Sequence, residues 1–195
     1  MEQNSKADLG HREQKKRQTR QALVTSALKL FVKKGFDNTT IAEIAEAANC
    51  APRTFFLYFD SKEDLLPAAL EWASENLATA LRGRAPGTTL EVFQQWLLAN
   101  LEHHAGPRQA FPHPSFAARQ KYYLGRLLEP ILTKCFAEDL GLPSSSTQAK
   151  LIAVSAVAIL ATLDFEQMTH QERVRYVNQG IAFLRAGINA LGKEI

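Results

Sequence analysis

The stretch TTIAEIAEAANCAPRTFFLYFDSKEDL, residues 39–65, encodes two short helices joined by a tight turn, and its reading decides the fold. Thr40, with Glu43 three residues on, is a capping box that opens a helix running through Ala48. Ala45 supplies a small side chain where the following helix would cross. Asn49 stands at the turn, and after glycine asparagine best tolerates a left-handed backbone. Pro52 opens the second helix, since its fixed φ suits a first helical turn. Ile44, Ala48, Cys50 and Phe55 are the apolar positions that lock the pair together. Ser61 with Asp64 then opens a further helix to about Leu81, which the Pro86-Gly87 stretch ends.

Outward from this segment, helical periodicity continues in both directions, and no stretch alternates as a strand would. Upstream, residues 15–34 place Leu23, Val24, Ala27, Leu28, Leu30 and Phe31 on one side, and Gly35 supplies the stop. Downstream, the spacing predicts helices over 89–104, 115–123, 126–140, 147–168 and 171–191, with a Pro-rich loop at 105–114 and a turn at 141–144. The expected fold is all-α, with about nine helices. A helix-turn-helix domain at 10–66 precedes a larger helical bundle at 67–195, and residues 1–9 read as a disordered tail.

Composition narrows the classes. The chain has 195 residues, enough to bury a core without disulfides or metals. Cys50 and Cys135 belong to no CxxC or Cys/His cluster and read as reduced thiols. The N-terminus has no apolar h-region, and the longest apolar stretch, Leu151 to Phe165, is too short and too polar for a membrane helix, so a cytoplasmic location with no membrane association is expected. The net charge of +3 is small but localised: residues 1–62 carry 11 Lys or Arg against 7 Asp or Glu, and residues 63–195 carry 12 against 13. Arg12, Lys15, Lys16, Arg17 and Arg20 form a basic run that is either a solvated helix face or an arm facing phosphates.

The second short helix would expose Pro52, Arg53, Thr54, Phe56, Leu57 and Tyr58. Such a face suits a DNA major groove: Arg pairs bidentately with guanine, apolar groups meet thymine methyls, and hydroxyls hold phosphates. Phe31, Gly35, Thr39-Thr40, Ile44-Ala45, Thr54, Phe59 and Ser61-Lys62-Glu63 together resemble the N-terminal DNA-binding domain of the TetR family of bacterial transcriptional regulators, over about residues 16–66. The remaining chain matches that family only in helix count and order. The resemblance implies that Thr40 contacts a phosphate, that Pro52 and Arg53 face bases, and that Thr54, Tyr58 and Lys62 anchor phosphates. It also turns Arg17 and Arg20, on the helix approaching the DNA backbone, into DNA contacts. Phe55 and Phe59 fall in the small domain's core. Three residues depart from the pattern: Ala51 replaces a capping Ser, at a cost of about 0.5–2 kcal/mol, Phe56 replaces a frequent Tyr and keeps only an apolar contact, and Asn49 replaces Gly.

For the larger part, the resemblance implies a small-molecule effector, and the two long, apolar helices at its end suit a homodimer made of four helices. Trp72, Phe93, Trp96, Phe116 and Tyr123 are candidates for an aromatic pocket, with Asp164 as its polar member or as a surface residue. Val177, Ile181, Leu184 and Ile188 have the 3–4 spacing of a packed helix seam. With Val157 and Leu160 they are candidates for a dimer interface, the other reading being the chain's own core. His103, His104 and His113 lack a carboxylate or Cys at ligand spacing, so no metal and no cofactor is expected. No Gly-rich phosphate loop, GxSxG or HExxH occurs, so the expectation is not an enzyme. The expected function is a regulator, most simply a repressor, that binds double-stranded operator DNA and is released by a small molecule. The alternative is a helical interaction protein that keeps the fold without reading DNA.

Overall fold

The computed structural model describes residues 2–102, 114–163 and 167–191, and every element among them is helical. The chain divides into two units, Met1–Ala69 and Leu70–Ile195.

The first unit begins with α1 (Glu2–Lys34). Residues 2–9, expected to be disordered, continue this helix, because Glu, Gln, Lys, Ala and Leu are good helix formers and no proline interrupts them. Its buried face is Leu23, Val24, Ala27, Leu28 and Phe31, whereas residues 11–18 are exposed. At its end Gly35 adopts φ 88° and donates its N–H to the Phe31 carbonyl at 2.8 Å. Asn38 Nδ2 and Thr39 Oγ1 donate to the next carbonyls, of Lys34 and Gly35, at 3.0 and 2.8 Å. Two short helices follow, α2 (Ile41–Ala47) and α3 (Pro52–Phe55), then a single 3-10 turn at Lys62–Asp64. Ile44, Ala45, Phe55, Phe59, Leu65 and Leu66 complete this unit's core. The division between units falls inside α4 (Leu65–Arg82).

The second unit contains α5 (Thr89–Glu102), α6 (Pro114–Leu140), α7 (Thr147–Ala161) and α8 (His170–Leu191). Two helices were expected where α6 runs unbroken; Gly125 and Pro130 weaken it locally, yet helix continues through both. Conversely α7 stops seven residues short of the expected Met168, where Thr162 Oγ1 turns back onto the Ala158 carbonyl at 2.6 Å and meets the Tyr176 hydroxyl at 2.6 Å. Such back-bonding competes with helix propagation. Thr169 and Glu172 cap α8 reciprocally, and the hydrogen bonds from Thr169 hold the Glu172 carboxyl below its ordinary pKa.

Helix α8 packs against α5 and α7 within the unit. At Gly180 a Cβ would lie 2.7 Å from Ile159 Cδ1, so the two helices approach as closely as a glycine allows. Val177, Ile181 and Leu184, expected at a dimer interface, are buried here, as is Val157, while Leu160 and Ile188 are half-buried. The 3–4 seam is therefore filled by the chain's own helices, which is a correction to its reading as a surface between copies. The large apolar side chains left exposed on these helices are Leu151 and Val154 of α7 and Phe183 of α8.

A polar knot holds the α4–α5 turn. Arg84 donates to Thr89 Oγ1, the Leu81 and Cys135 carbonyls, and Glu138 at 2.7–3.2 Å, and approaches Asp139 at 3.4 Å. The Asp139 carboxylate in turn accepts the Gly87 and Thr89 N–H groups at 3.0 and 2.9 Å, capping the start of α5 from another helix.

Candidate nucleic-acid interface

The interface is built on the local geometry of residues 34–62. The Thr40 side chain accepts the Glu43 N–H at 3.3 Å, and the Glu43 carboxylate accepts both the Thr40 N–H and the Thr40 hydroxyl, at 2.8 and 2.7 Å. Lys34 donates to the other carboxylate oxygen. That lysine bond and the Thr40 bonds hold the Glu43 pKa at about 2. The only hydroxyl proton of Thr40 is thus already spent, so a phosphate at Thr40 must displace Glu43.

The turn has the expected form. Asn49 adopts φ 55°, and the Cys50 N–H closes onto the Ala45 carbonyl at 2.9 Å. Ala45 is fully buried under the crossing, as its size requires. Helix α3 starts on Pro52, and Ala51 caps it with no side-chain hydrogen bond. Four residues of α-helix are followed by turns closed by Leu57, Tyr58 and Phe59 N–H groups. Phe55 and Phe59 are buried with ring centroids 5.4 Å apart, so they anchor this short helix from below.

That anchoring fixes what faces outward. Pro52 and Arg53 are exposed, Phe56 is 57% and Leu57 77% exposed, and Thr54 and Tyr58 are half-buried. Two large apolar side chains held outward on a rigid four-residue helix, next to an arginine, form a surface without use for the unit's own packing.

The expected phosphate ligands divide into two groups. Arg17 is exposed on α1, with Arg12, Lys15 and Lys16. Arg20 is half-buried, its guanidinium 5.4 Å from the Phe59 ring centre, so it braces the core below α3. Lys62 turns inward: its ammonium donates to the Phe36 and Thr39 carbonyls at 2.9 and 2.8 Å and lies 4.6 Å from the Phe36 ring centre. Lys62, expected as a phosphate anchor, ties the α1–α2 loop to the turn before α4 with two of its three ammonium protons. The sequence reading missed this tie, and no local pattern announces it, because it joins positions 23 and 26 apart.

In the second unit, Phe93 is fully buried and stacks on Trp96 at 6.2 Å, while Trp72, Trp96 and Tyr123 are half-buried. The Phe116 side chain, Asp164, and the histidines 103, 104 and 113 lie outside the described residues. Burial raises the thiol pKa of Cys50 and of Cys135, which disfavours the thiolate a nucleophile needs.

Residues 23–69 match the model of bacterial regulatory proteins of the tetR family. The chain is 41% identical over 78 residues to the HTH-type transcriptional regulator TcmR of Streptomyces glaucescens, covering 40% of this chain and 34% of TcmR. It is 32% identical over 92 residues to the HTH-type transcriptional regulator AcrR of Shigella flexneri, covering 46% and 43%. The matches thus span less than half the length of these curated relatives. Along most of its length the fold is similar to RolR in complex with resorcinol, at 26% identity and a TM-score of 0.53, covering 91% of this chain and 94% of RolR. It is also similar to a tetR-family transcriptional regulator from Streptomyces coelicolor, at 24% identity and a TM-score of 0.58, covering 90% and 84%. Over residues 23–69 the chain thus matches the tetR family of bacterial regulatory proteins in sequence, and over most of its length its all-helical fold is similar to that of RolR.

Proposed function

We propose that the protein is a sequence-specific, homodimeric DNA-binding transcriptional repressor, acting in the cytoplasm and not as an enzyme. The observation that carries this reading is the outward face of Pro52, Arg53, Phe56 and Leu57, held rigid by the buried Phe55 and Phe59. In a major groove, Arg53 pairs with a guanine edge, and the apolar side chains meet thymine methyls. Thr54 and Tyr58, at the flanks, reach phosphates, and the exposed basic face of α1 adds salt-sensitive attraction. A homodimer would present two such faces to half-sites about one helical turn, roughly 34–36 Å, apart. Leu151, Val154 and Phe183, apolar and exposed on α7 and α8, supply a surface for the second copy.

A small molecule bound by the larger unit releases the operator, provided it binds one of two states better than the other. RolR, similar over most of its length, is in complex with resorcinol, which supports an effector of that size class. The aromatic candidates Trp72, Phe93, Trp96 and Tyr123 would line such a site. The experiment is a gel shift with the DNA flanking the protein's own gene, run across a salt series. Arg53→Ala should weaken specific binding by about 1–3 kcal/mol and relax selectivity at one base position. Unchanged specific binding would remove Arg53 as a base reader, and no binding by a folded dimer would favour the interaction-protein reading.

A further inference from the structure

Arg53, Phe56 and Leu57, at i, i+3 and i+4, share the outward face of α3 and of the turn that follows it. Single exposed apolar side chains are ordinary. These two are adjacent, and they are held. Phe55, fully buried, meets the Phe56 ring edge-on, with 5.6 Å between centroids and 80° between planes. The Leu57 N–H closes onto the Thr54 carbonyl at 3.2 Å and the Tyr58 N–H onto the Phe55 carbonyl at 2.9 Å, so the backbone that carries both is a closed turn. An apolar surface set in place before its partner arrives loses little freedom on binding.

The surroundings choose the class of partner. Helix α3 carries no acid in its first turn, Arg53 stands on the same face, and residues 1–62 hold 11 Lys or Arg against 7 Asp or Glu. A cationic and apolar face is complementary to DNA. In a major groove the base edges present donors, acceptors and one apolar group, the 5-methyl of thymine. A phenyl and an isobutyl group offer nothing to a donor or an acceptor and only desolvate it. They gain from a methyl alone. 5-Methylcytosine carries the same methyl on the same carbon, and differs from thymine at position 4, where neither side chain can form a hydrogen bond.

We propose that Phe56 and Leu57 read pyrimidine 5-methyl groups, so that the protein binds a cytosine at their position more tightly once it is methylated at C5. At 1.5 Å per residue the two side chains lie about 4.5–6 Å along the helix from Arg53, and base pairs stack every ~3.4 Å. The methyls therefore belong to base pairs one or two steps from the guanine that Arg53 reads. The proposal rests on the operator-binding reading and adds the chemical feature that the apolar half of the face selects.

The test takes duplex DNA that the full chain enriches from a random pool, and measures its affinity with each thymine in turn replaced by deoxyuridine, which lacks only the methyl. At one or two thymines within two base pairs of the guanine that Arg53→Ala ceases to select, affinity should fall about fourfold per methyl, the worth of one such group leaving an apolar contact. In a second arm the same position carries cytosine or 5-methylcytosine, paired with guanine, and the methylated duplex should bind about fourfold more tightly. Phe56→Ala combined with Leu57→Ala should bind thymine and uracil duplexes alike; both side chains are exposed, and circular dichroism confirms the fold. Equal affinity for thymine and uracil duplexes at every position overturns the proposal. So does a thymine preference that cytosine methylation fails to reproduce, since thymine is then read through its 4-oxo group. A thymine-uracil difference that survives in the double variant overturns it as well. If that variant does not fold, the two DNA arms on the unaltered protein still decide. A folded protein that enriches no DNA overturns the operator reading together with this one and points to a protein partner, whereas enriched DNA without methyl dependence overturns this one alone.

Discussion

Lys62→Met separates a structural lysine from a DNA-contacting one, because the two roles predict opposite pairs of measurements. Methionine keeps the stem of the side chain and removes the ammonium that spans the Phe36 and Thr39 carbonyls and the Phe36 ring. Each hydrogen bond contributes on the order of 1 kcal/mol net, and a cation over a ring about 0.5–1 kcal/mol at a partly exposed site. The loss comes to about 2–3 kcal/mol, since Phe36 O keeps the Thr39 N–H as a partner at 3.2 Å and the loop is open to water. A unit of this size loses about 4–8 °C of melting temperature per kcal/mol, so its transition should fall by on the order of 10 °C. Thermal unfolding followed by circular dichroism reads the first quantity, and the salt dependence of operator binding reads the second. The structure requires a lowered melting temperature and an unchanged salt slope. An unchanged melting temperature together with a slope reduced by about 0.9, the signature of one lost phosphate contact, would refute the inward assignment.

Three other outcomes test separate parts of the structure. Glu43 has a folded pKa of about 2, set by Lys34 and Thr40; a depressed carboxyl stabilises the fold above its unfolded pKa, so this contribution should be lost as pH falls from about 4.5 towards 2. In Glu43→Gln the melting temperature should lose that part of its pH dependence, and an identical pH profile would show that Glu43 is not tied in solution. Asp139→Asn leaves Arg84 paired with Glu138 but weakens the charged acceptor of the Gly87 and Thr89 N–H groups, and should cost about 1.5–3 kcal/mol in chemical denaturation; a loss under about 1 kcal/mol, the scale of a surface pair, would mean that the knot is solvated. Gly180→Ala should destabilise by about 1–3 kcal/mol through overpacking on Ile159, and adding Ile159→Val should restore part of it; additive losses in the double variant would place the clash elsewhere.

The helix-turn-helix was legible because its determinants are local. Capping by Thr40 and Glu43, the left-handed Asn49, the small Ala45 and the opening Pro52 each act within a few residues, and each takes the form its side chain dictates. The burial of Phe55 and the exposed face followed from the same spacing, whereas the burial of Phe59 was implied by the family resemblance. Lys62 did not yield to such reading. A lysine after a serine at a helix start has the charge a phosphate wants, and only the placement of two carbonyls more than twenty positions upstream shows that two of its three protons are already taken. A cleft in the second unit was invisible for the same reason: its walls come from residues 87–91, 136–140 and 185–189, and no periodicity collects them.

The seam on α8 shows a different limit. A 3–4 spacing states that a helix face has a partner, but intrachain and interchain partners demand the same side chains. Val177, Ile181 and Leu184 satisfy the pattern by packing inside the unit, where Gly180 lets α7 come close. What the fold leaves outside is Phe183, 71% exposed one position before buried Leu184, and Leu151, 59% exposed one position before Ile152. Neither is needed for the seam. The sequence carries both signals in the same helix. Only burial assigns one to the core and leaves the other at the surface.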